Sequence, residues 1–168
     1  MYKTSILPSH HACPRSITLL CAAMLLTGMV LGLATPAMAA GPDAALRNGA
    51  DLCARAGDQA GFSRTDRLVT AVAVGLAESR CIPTARHQNG RSRNCPRGST
   101  DRGLWQINDC SHSEYSAGCA YQPQCNATAA YRISSRGTNF RPWVTYRSGQ
   151  YRIFLPEARA AVARLNRS

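Results

Sequence analysis

The sequence predicts a mostly helical α+β domain that carries one small, irregular, cystine-rich β-like segment. Three observations point to it. Apolar residues recur at helical spacing over residues 43–56, 63–79 and 156–165. Residues 84–100 break that pattern with Arg, Asn, Gly and Pro. Six cysteines, Cys53, Cys81, Cys95, Cys110, Cys119 and Cys125, fall in and around the break, and their even number reads as three disulfides.

Residues 1–39 read as a secretory leader. Lys3 and Arg15 supply positive charge, Ile17 to Ala34 is almost continuously apolar, and Ala37-Met38-Ala39 is a small-residue cleavage site. An uncleaved membrane anchor is the competing reading, since the apolar run is about long enough to cross a bilayer. The cleavage site directly after the run favours removal, and Leu20 before Cys21 argues against a lipoprotein. Removing 39 of the 168 residues leaves 129, residues 40–168, enough for one domain with a single core. The expected location is secreted or at the cell envelope, where disulfides persist.

The chain carries a net charge of +11, and beyond residue 39 it holds 18 arginines, no lysine and nine acids. Such a balance suits an anionic partner such as a wall polymer or membrane surface, although general solubility would also account for it. The arginines are dispersed except for Arg91, Arg93 and Arg97. No nucleic-acid motif, P-loop or dinucleotide fingerprint is present, so no nucleic-acid partner and no cofactor are expected. A zinc site is disfavoured because no CxxC pair exists and neither His87 nor His112 has ligand spacing to the cysteines. A serine triad is disfavoured because there is no G-x-S-x-G.

The elements follow in order. Residues 43–56 fit a first helix with Ala45, Leu46, Leu52 and Cys53 as its apolar stripe and Gly57 as a left-handed stop. After a turn at Gly61-Phe62, Ser63 and Asp66 resemble a capping box, and the next helix runs through Leu68, Val72 and Leu76 to about Ser79, with Pro83 beyond its end. Residues 84–100 are an irregular or hairpin-bearing excursion, and 104–107 are short and apolar. Residues 109–125 form a turn-rich loop in which Cys119 and Cys125 are close enough to pair; Cys81 with Cys95 is a further candidate pair. Asn126 is expected to cap a helix to Arg132. A loop over 134–150 precedes a last helix opened by Pro156, with Ala158, Ala161, Val162 and Leu165 facing inward.

Two carboxyls stand in unlike settings. Glu78 ends an apolar helical run and shares a helix line with Ala71, Val74 and Gly75. Desolvation there, with the negative helix end, raises its pKa and suits a general acid. The plainer reading is a solvated glutamate balancing Arg80. Asp101 lies beside Gly103 and between Thr100 and Arg102, which would keep it ionised near a developing positive charge. Its plainer reading is a turn aspartate paired with Arg102. Gln106 and Asn108 can hydrogen-bond sugar hydroxyls or satisfy buried backbone. Trp105, Tyr131, Trp143, Tyr146 and Tyr151 can line a saccharide cleft, and at least two are expected in the core.

Taken together, Ala77-Glu78-Ser79 followed by Asp101-x-Gly103-Leu104-x-Gln106-Ile107-Asn108 resembles the lysozyme superfamily, above all small exported bacterial lytic transglycosylase (SLT-type) domains. Asn126-Ala127-Thr128-Ala129-Ala130-Tyr131 looks like the third family motif, and Trp143-x-x-Tyr146-x-x-Gly149-x-Tyr151 like the tail of small members. Ser99-Thr100-Asp101 also looks like the chicken-type lysozyme segment that carries the second carboxylate. The resemblance runs from about residue 65 to 155. The family's usual Glu-Ser-Gly-Gly is here Glu78-Ser79-Arg80-Cys81.

This resemblance implies a lysozyme-like fold, Glu78 as general acid, Gln106 in the substrate groove and Tyr131 near the catalytic glutamate. The implied activity is a lytic transglycosylase that cleaves the β-1,4 bond between N-acetylmuramic acid and N-acetylglucosamine. The alternatives are a hydrolytic muramidase using Glu78 and Asp101, or a non-catalytic cationic wall-binding protein. Asn108, Trp105 and Tyr146 complete the expected substrate-binding set. The expected partners are peptidoglycan glycan strands, with electrostatic contact to anionic wall polymers, and the chain is expected to act as a monomer.

Overall fold

A computed structural model describes residues 42–167. The expected leader and its cleavage site lie outside the described residues, as do the side chains of Ala45 and Leu46. Helix α1 (Pro42–Ala60) leads into α2 (Thr65–Ser79), then a small sheet of β1 (Arg86–Asn89), β2 (Ser99–Arg102) and β3 (Ile107–Asn108). Helices α3 (Ala117–Tyr121) and α4 (Pro123–Ile133) follow, then the single turn α5 (Val144–Arg147), a 3₁₀ turn over Gln150–Phe154 and α6 (Leu155–Leu165). The sheet is antiparallel in the order β1-β2-β3. This is the mostly helical α+β arrangement the sequence predicts.

Helix α1 packs on α2, α4 and α6, and α2 packs on α6 and the 3₁₀ turn. Trp105 is the hub of the core: it is 0 % exposed, and its indole N–H donates to the Ala71 carbonyl at 2.8 Å. Phe62, Leu76, Leu104, Val72 and Val74 surround it in the same buried cluster. The apolar spacing in α2 buries every residue from Leu68 to Leu76 except Thr70. Gly75 lets the packing close in there, since a Cβ would lie 3.0 Å from Cys53 Sγ and 3.3 Å from the Trp105 ring.

Several local expectations give way to longer-range contacts. Gly57 is helical, and α1 continues to Ala60; the left-handed turn falls on Gly61 at φ 110°. No capping box forms at Ser63, since the residue before α2 is Arg64 and no side chain caps it. Asn126 is no cap either. Helix α4 starts earlier, at Pro123, whose missing N–H suits a first turn. Asn126 lies buried inside it, accepting from Trp105 N at 2.9 Å and donating to the carbonyls of Arg102 at 2.9 Å and Ala120 at 2.7 Å. Leu165 is only partly buried against the core that Ala158, Ala161 and Val162 enter.

Cys119 pairs with Cys125 as expected. The Cys81–Cys95 pairing is not formed: Cys53 bonds Cys81, and Cys95 bonds Cys110. Arg80 and Cys81 are both left-handed, at φ 57° and 58°, and they turn the chain back toward α1, so that Cys81 is buried against Cys53. Left-handed backbone is adopted at least cost by glycine, and here the Cys53–Cys81 disulfide holds the turn without one.

Candidate active site

Glu78 occupies the last turn of α2. The turn is fastened to the β3 approach by Ser79, whose hydroxyl donates to Leu104 O at 2.6 Å. Arg80 does not balance Glu78. Its guanidinium lies over the Phe154 ring at 4.7 Å and 3.6 Å from Glu157, on the α6 side. The Glu78 carboxyl is half-buried and meets Thr145 instead, accepting its hydroxyl hydrogen at 2.5 Å and a bond from its backbone N–H. Burial pushes the Glu78 pKa above its ordinary value, and the negative charge of Asp101 pushes the same way; the Thr145 bonds oppose both.

Asp101 sits at the centre of β2. Its register partners are His87 on β1 and Asn108 on β3, and Ser99 pairs with Asn89. Alternation along a strand therefore gathers Ser99, Asp101, Asn89 and Asn108 on one face of the sheet. The Asn89 amide donates to Asp101 Oδ2 at 2.8 Å and the Asn108 amide to Oδ1 at 2.6 Å, while the Asn108 amide also reaches Ser99 Oγ at 2.8 Å. Both carboxylate oxygens thus accept from amides. Arg102 projects to the opposite face and pairs with Asp109 at 2.7 Å, so the expected Asp101–Arg102 pair does not form. Asp109 sits below its ordinary pKa, first through the Thr100 N–H and then through Arg102.

An open cleft of about 210 Å³ separates the two carboxyls. Glu78, Asp101, Gln106 and Asn108 line its polar side. Ile133, Pro142, Trp143 and Val144 form an apolar wall, with Val144 64 % exposed, and Ser111 and His112 stand at another edge. Gln106 is held at φ 48° in the turn after Gly103, with its amide nitrogen on Gly103 O at 3.0 Å and Ala85 O at 3.3 Å. Gly103 tolerates no side chain, since a Cβ would come within 2.1 Å of Ala120 O.

Three expected substrate-binding residues are placed elsewhere. Trp105 is wholly in the core because its ring fills the space under α2. Tyr131 packs edge-on against Phe62 with centroids 5.0 Å apart, and its ring also closes over Gly61. Tyr146 stacks on Tyr151 at 4.7 Å and leans on Phe140. None of the three lines the cleft. Thr145, Asn89, His112 and Val144 are the additions that sequence reasoning missed. Thr145 was bracketed by the Trp143-x-x-Tyr146 pattern, which is the only signal that marked its neighbourhood.

Among the described residues, no group of three or more His, Cys, Asp or Glu side chains is placed to hold a metal ion, and no helix is long and apolar enough to cross a membrane. A protein-family model described as a lysozyme-like domain matches residues 54–145, which span Glu78, the sheet and Thr145. Neither a curated protein nor a solved structure matches the chain significantly.

Proposed function

We propose that this chain, which belongs to the lysozyme-like domain family, hydrolyses the β-1,4 bond between N-acetylmuramic acid and N-acetylglucosamine in bacterial peptidoglycan. The observation that carries this reading is the pair of unlike carboxyls facing one cleft: Glu78 half-buried with a raised pKa, and Asp101 with both oxygens held by amides. Glycoside hydrolysis needs one carboxyl protonated and the other ionised at the same pH.

In this mechanism Glu78 donates its proton to the glycosidic oxygen as the bond to the anomeric carbon breaks. Positive charge develops on the sugar ring, and Asp101 faces it as an anion that its two amide donors fix in place. The leaving sugar departs with the Glu78 proton. Water then adds to the anomeric carbon and returns a proton to Glu78, leaving a reducing end. Gln106 and Asn108 line the groove beside the scissile bond. The three disulfides suit a protein that works in an oxidising compartment, and residues 1–39 would direct it there.

The apolar wall of Ile133, Pro142, Trp143 and Val144 favours a second reading. A cleft shielded from water on that side would let the muramic 6-hydroxyl close on the anomeric carbon, with Glu78 as acid and then base. That is the lytic transglycosylase reaction, and it yields a 1,6-anhydro end. Mass spectrometry of the fragments released from purified peptidoglycan separates the two. Reducing ends that depend on Asp101 support hydrolysis; anhydro ends that survive Asp101→Asn would move the assignment to the transglycosylase.

A further inference from the structure

The β1–β2 connection, residues 90–98, carries Arg91, Arg93 and Arg97 and no acidic residue. All three arginines are exposed, and among the described residues none has a hydrogen bond or ion pair. Arg80, Arg102 and Arg164, by contrast, are each paired with a carboxylate. The loop is built, not a loose tail. Ser92 N donates to Cys95 O at 3.1 Å, Gly98 N donates to the same carbonyl at 2.9 Å, and Cys95 N donates to the Ser92 hydroxyl at 3.1 Å. A Cβ at Gly98 would strike Asn89 O at 2.8 Å, on the residue that clamps Asp101.

The Cys95–Cys110 disulfide fastens this loop to the segment whose next two residues, Ser111 and His112, line the catalytic cleft. The loop that bears the three arginines joins Asn89 to Ser99, the strand ends whose side chains share the Asp101 hydrogen-bond cluster. A second opening of about 490 Å³ lies beside the disulfide, lined by Asn94, Arg97, Asp109 and Ser113 among others. Asp109 remains 36 % exposed despite its bond to Arg102. The opening thus offers a guanidinium, a carboxylate, an amide and a hydroxyl together.

We propose that this loop is a docking surface for the peptide stems of the glycan strand held in the cleft, with the three arginines engaging the stem carboxylates. The inference rests on the peptidoglycan reading above and extends it. A sugar backbone gives these cations no opposite charge, whereas each muramic residue can bear a peptide with free carboxylates. The mixed lining of the second opening matches a peptide, which brings amides and an amine as well as carboxylates.

The test is co-sedimentation of the oxidised Glu78→Gln protein, with and without Arg91→Gln, Arg93→Gln and Arg97→Gln, on two insoluble glycans. One is peptidoglycan stripped of phosphate polymers with its stems intact; the other is the same material after an amidase has removed the stems. The triple substitution should weaken binding to the stem-bearing glycan roughly 10-fold at low salt, as the product of three exposed ion pairs worth about two-fold each. That loss should shrink as salt rises. Binding to the stem-free glycan should be unchanged. Equal binding of both proteins to stem-bearing material, or an equal loss on stem-free material, would overturn the proposal. Cleavage of both glycans by the protein with Glu78 intact, run in parallel, tests the lytic reading separately.

Discussion

The carboxyl of Glu78 and the hydroxyl of Thr145, 67 residues apart in the chain, share a hydrogen bond of 2.5 Å. The bond stabilises the ionised form of Glu78 and so opposes the burial that raises its pKa. Thr145→Val removes the hydroxyl bond and leaves the backbone bond. The Glu78 pKa should rise further, and the alkaline limb of the kcat/KM profile on peptidoglycan should move to higher pH. The rate at the optimum should fall by less than the ~100-fold that loss of a general acid costs at minimum. A limb that stays in place would mean that Glu78 does not set it.

Burial of Glu78 also has a stability consequence whose sign follows from the same shift. The folded protein holds the Glu78 proton more tightly than the unfolded chain, whose ordinary value is 4.5. This group's favourable contribution is therefore complete below that value and is lost as pH rises through the folded pKa. Glutamine does not titrate, so Glu78→Gln should melt progressively higher than the parent as pH rises from about 4 to 8, relative to their difference at the acid end. Thermal melts of the pair across that range read the effect directly. A difference that does not change with pH would contradict the raised pKa.

Asn126 bonds three backbone groups: Trp105 N, Arg102 O and Ala120 O. Asn126→Ala removes all three bonds beside the turn that carries Gln106. At ~1 kcal/mol for each buried bond, the loss should be about 3 kcal/mol. Denaturant unfolding at constant pH measures it. A loss below about 1 kcal/mol would show that the turn stands without this side chain.

The disulfides should differ in worth according to the chain length they close. Cys53–Cys81 spans 28 residues and Cys119–Cys125 spans 6. The loop-closure relation puts their removal at about 3.6 and about 2.2 kcal/mol. Paired Cys→Ala substitutions at each site, compared by denaturant unfolding, give the order. The first pair should also lower activity at temperatures where the protein stays folded, because Cys81 follows Glu78 by three positions and holds its helix end.

Much of the site could be read from the chain because its signals are local. The buried run from Leu68 to Leu76 delivers Glu78 to a helix end, and the Asp101-to-Asn108 segment places a carboxylate and an amide on adjacent strands. The short spacing of Cys119 and Cys125 exposed their pairing. What stayed hidden depends on distant partners. Asn126 before an apolar stretch looks the same whether its amide caps its own helix or holds a turn 21 residues upstream. Thr145 and Asn89 have no sequence signature, since their roles exist only after α5 and β1 fold against the cleft. Trp105 resembled a sugar platform because a buried indole and a stacking indole are the same residue in sequence, and only the 2.8 Å bond to Ala71 O separates them.

The most direct measurement is the rate at which oxidised Glu78→Gln protein releases soluble fragments from purified peptidoglycan, beside the parent and with circular dichroism of both. Loss of at least ~100-fold in rate with an unchanged spectrum is expected if Glu78 is the general acid. A folded variant that cleaves within a few-fold of the parent would contradict that role and the mechanism built on it.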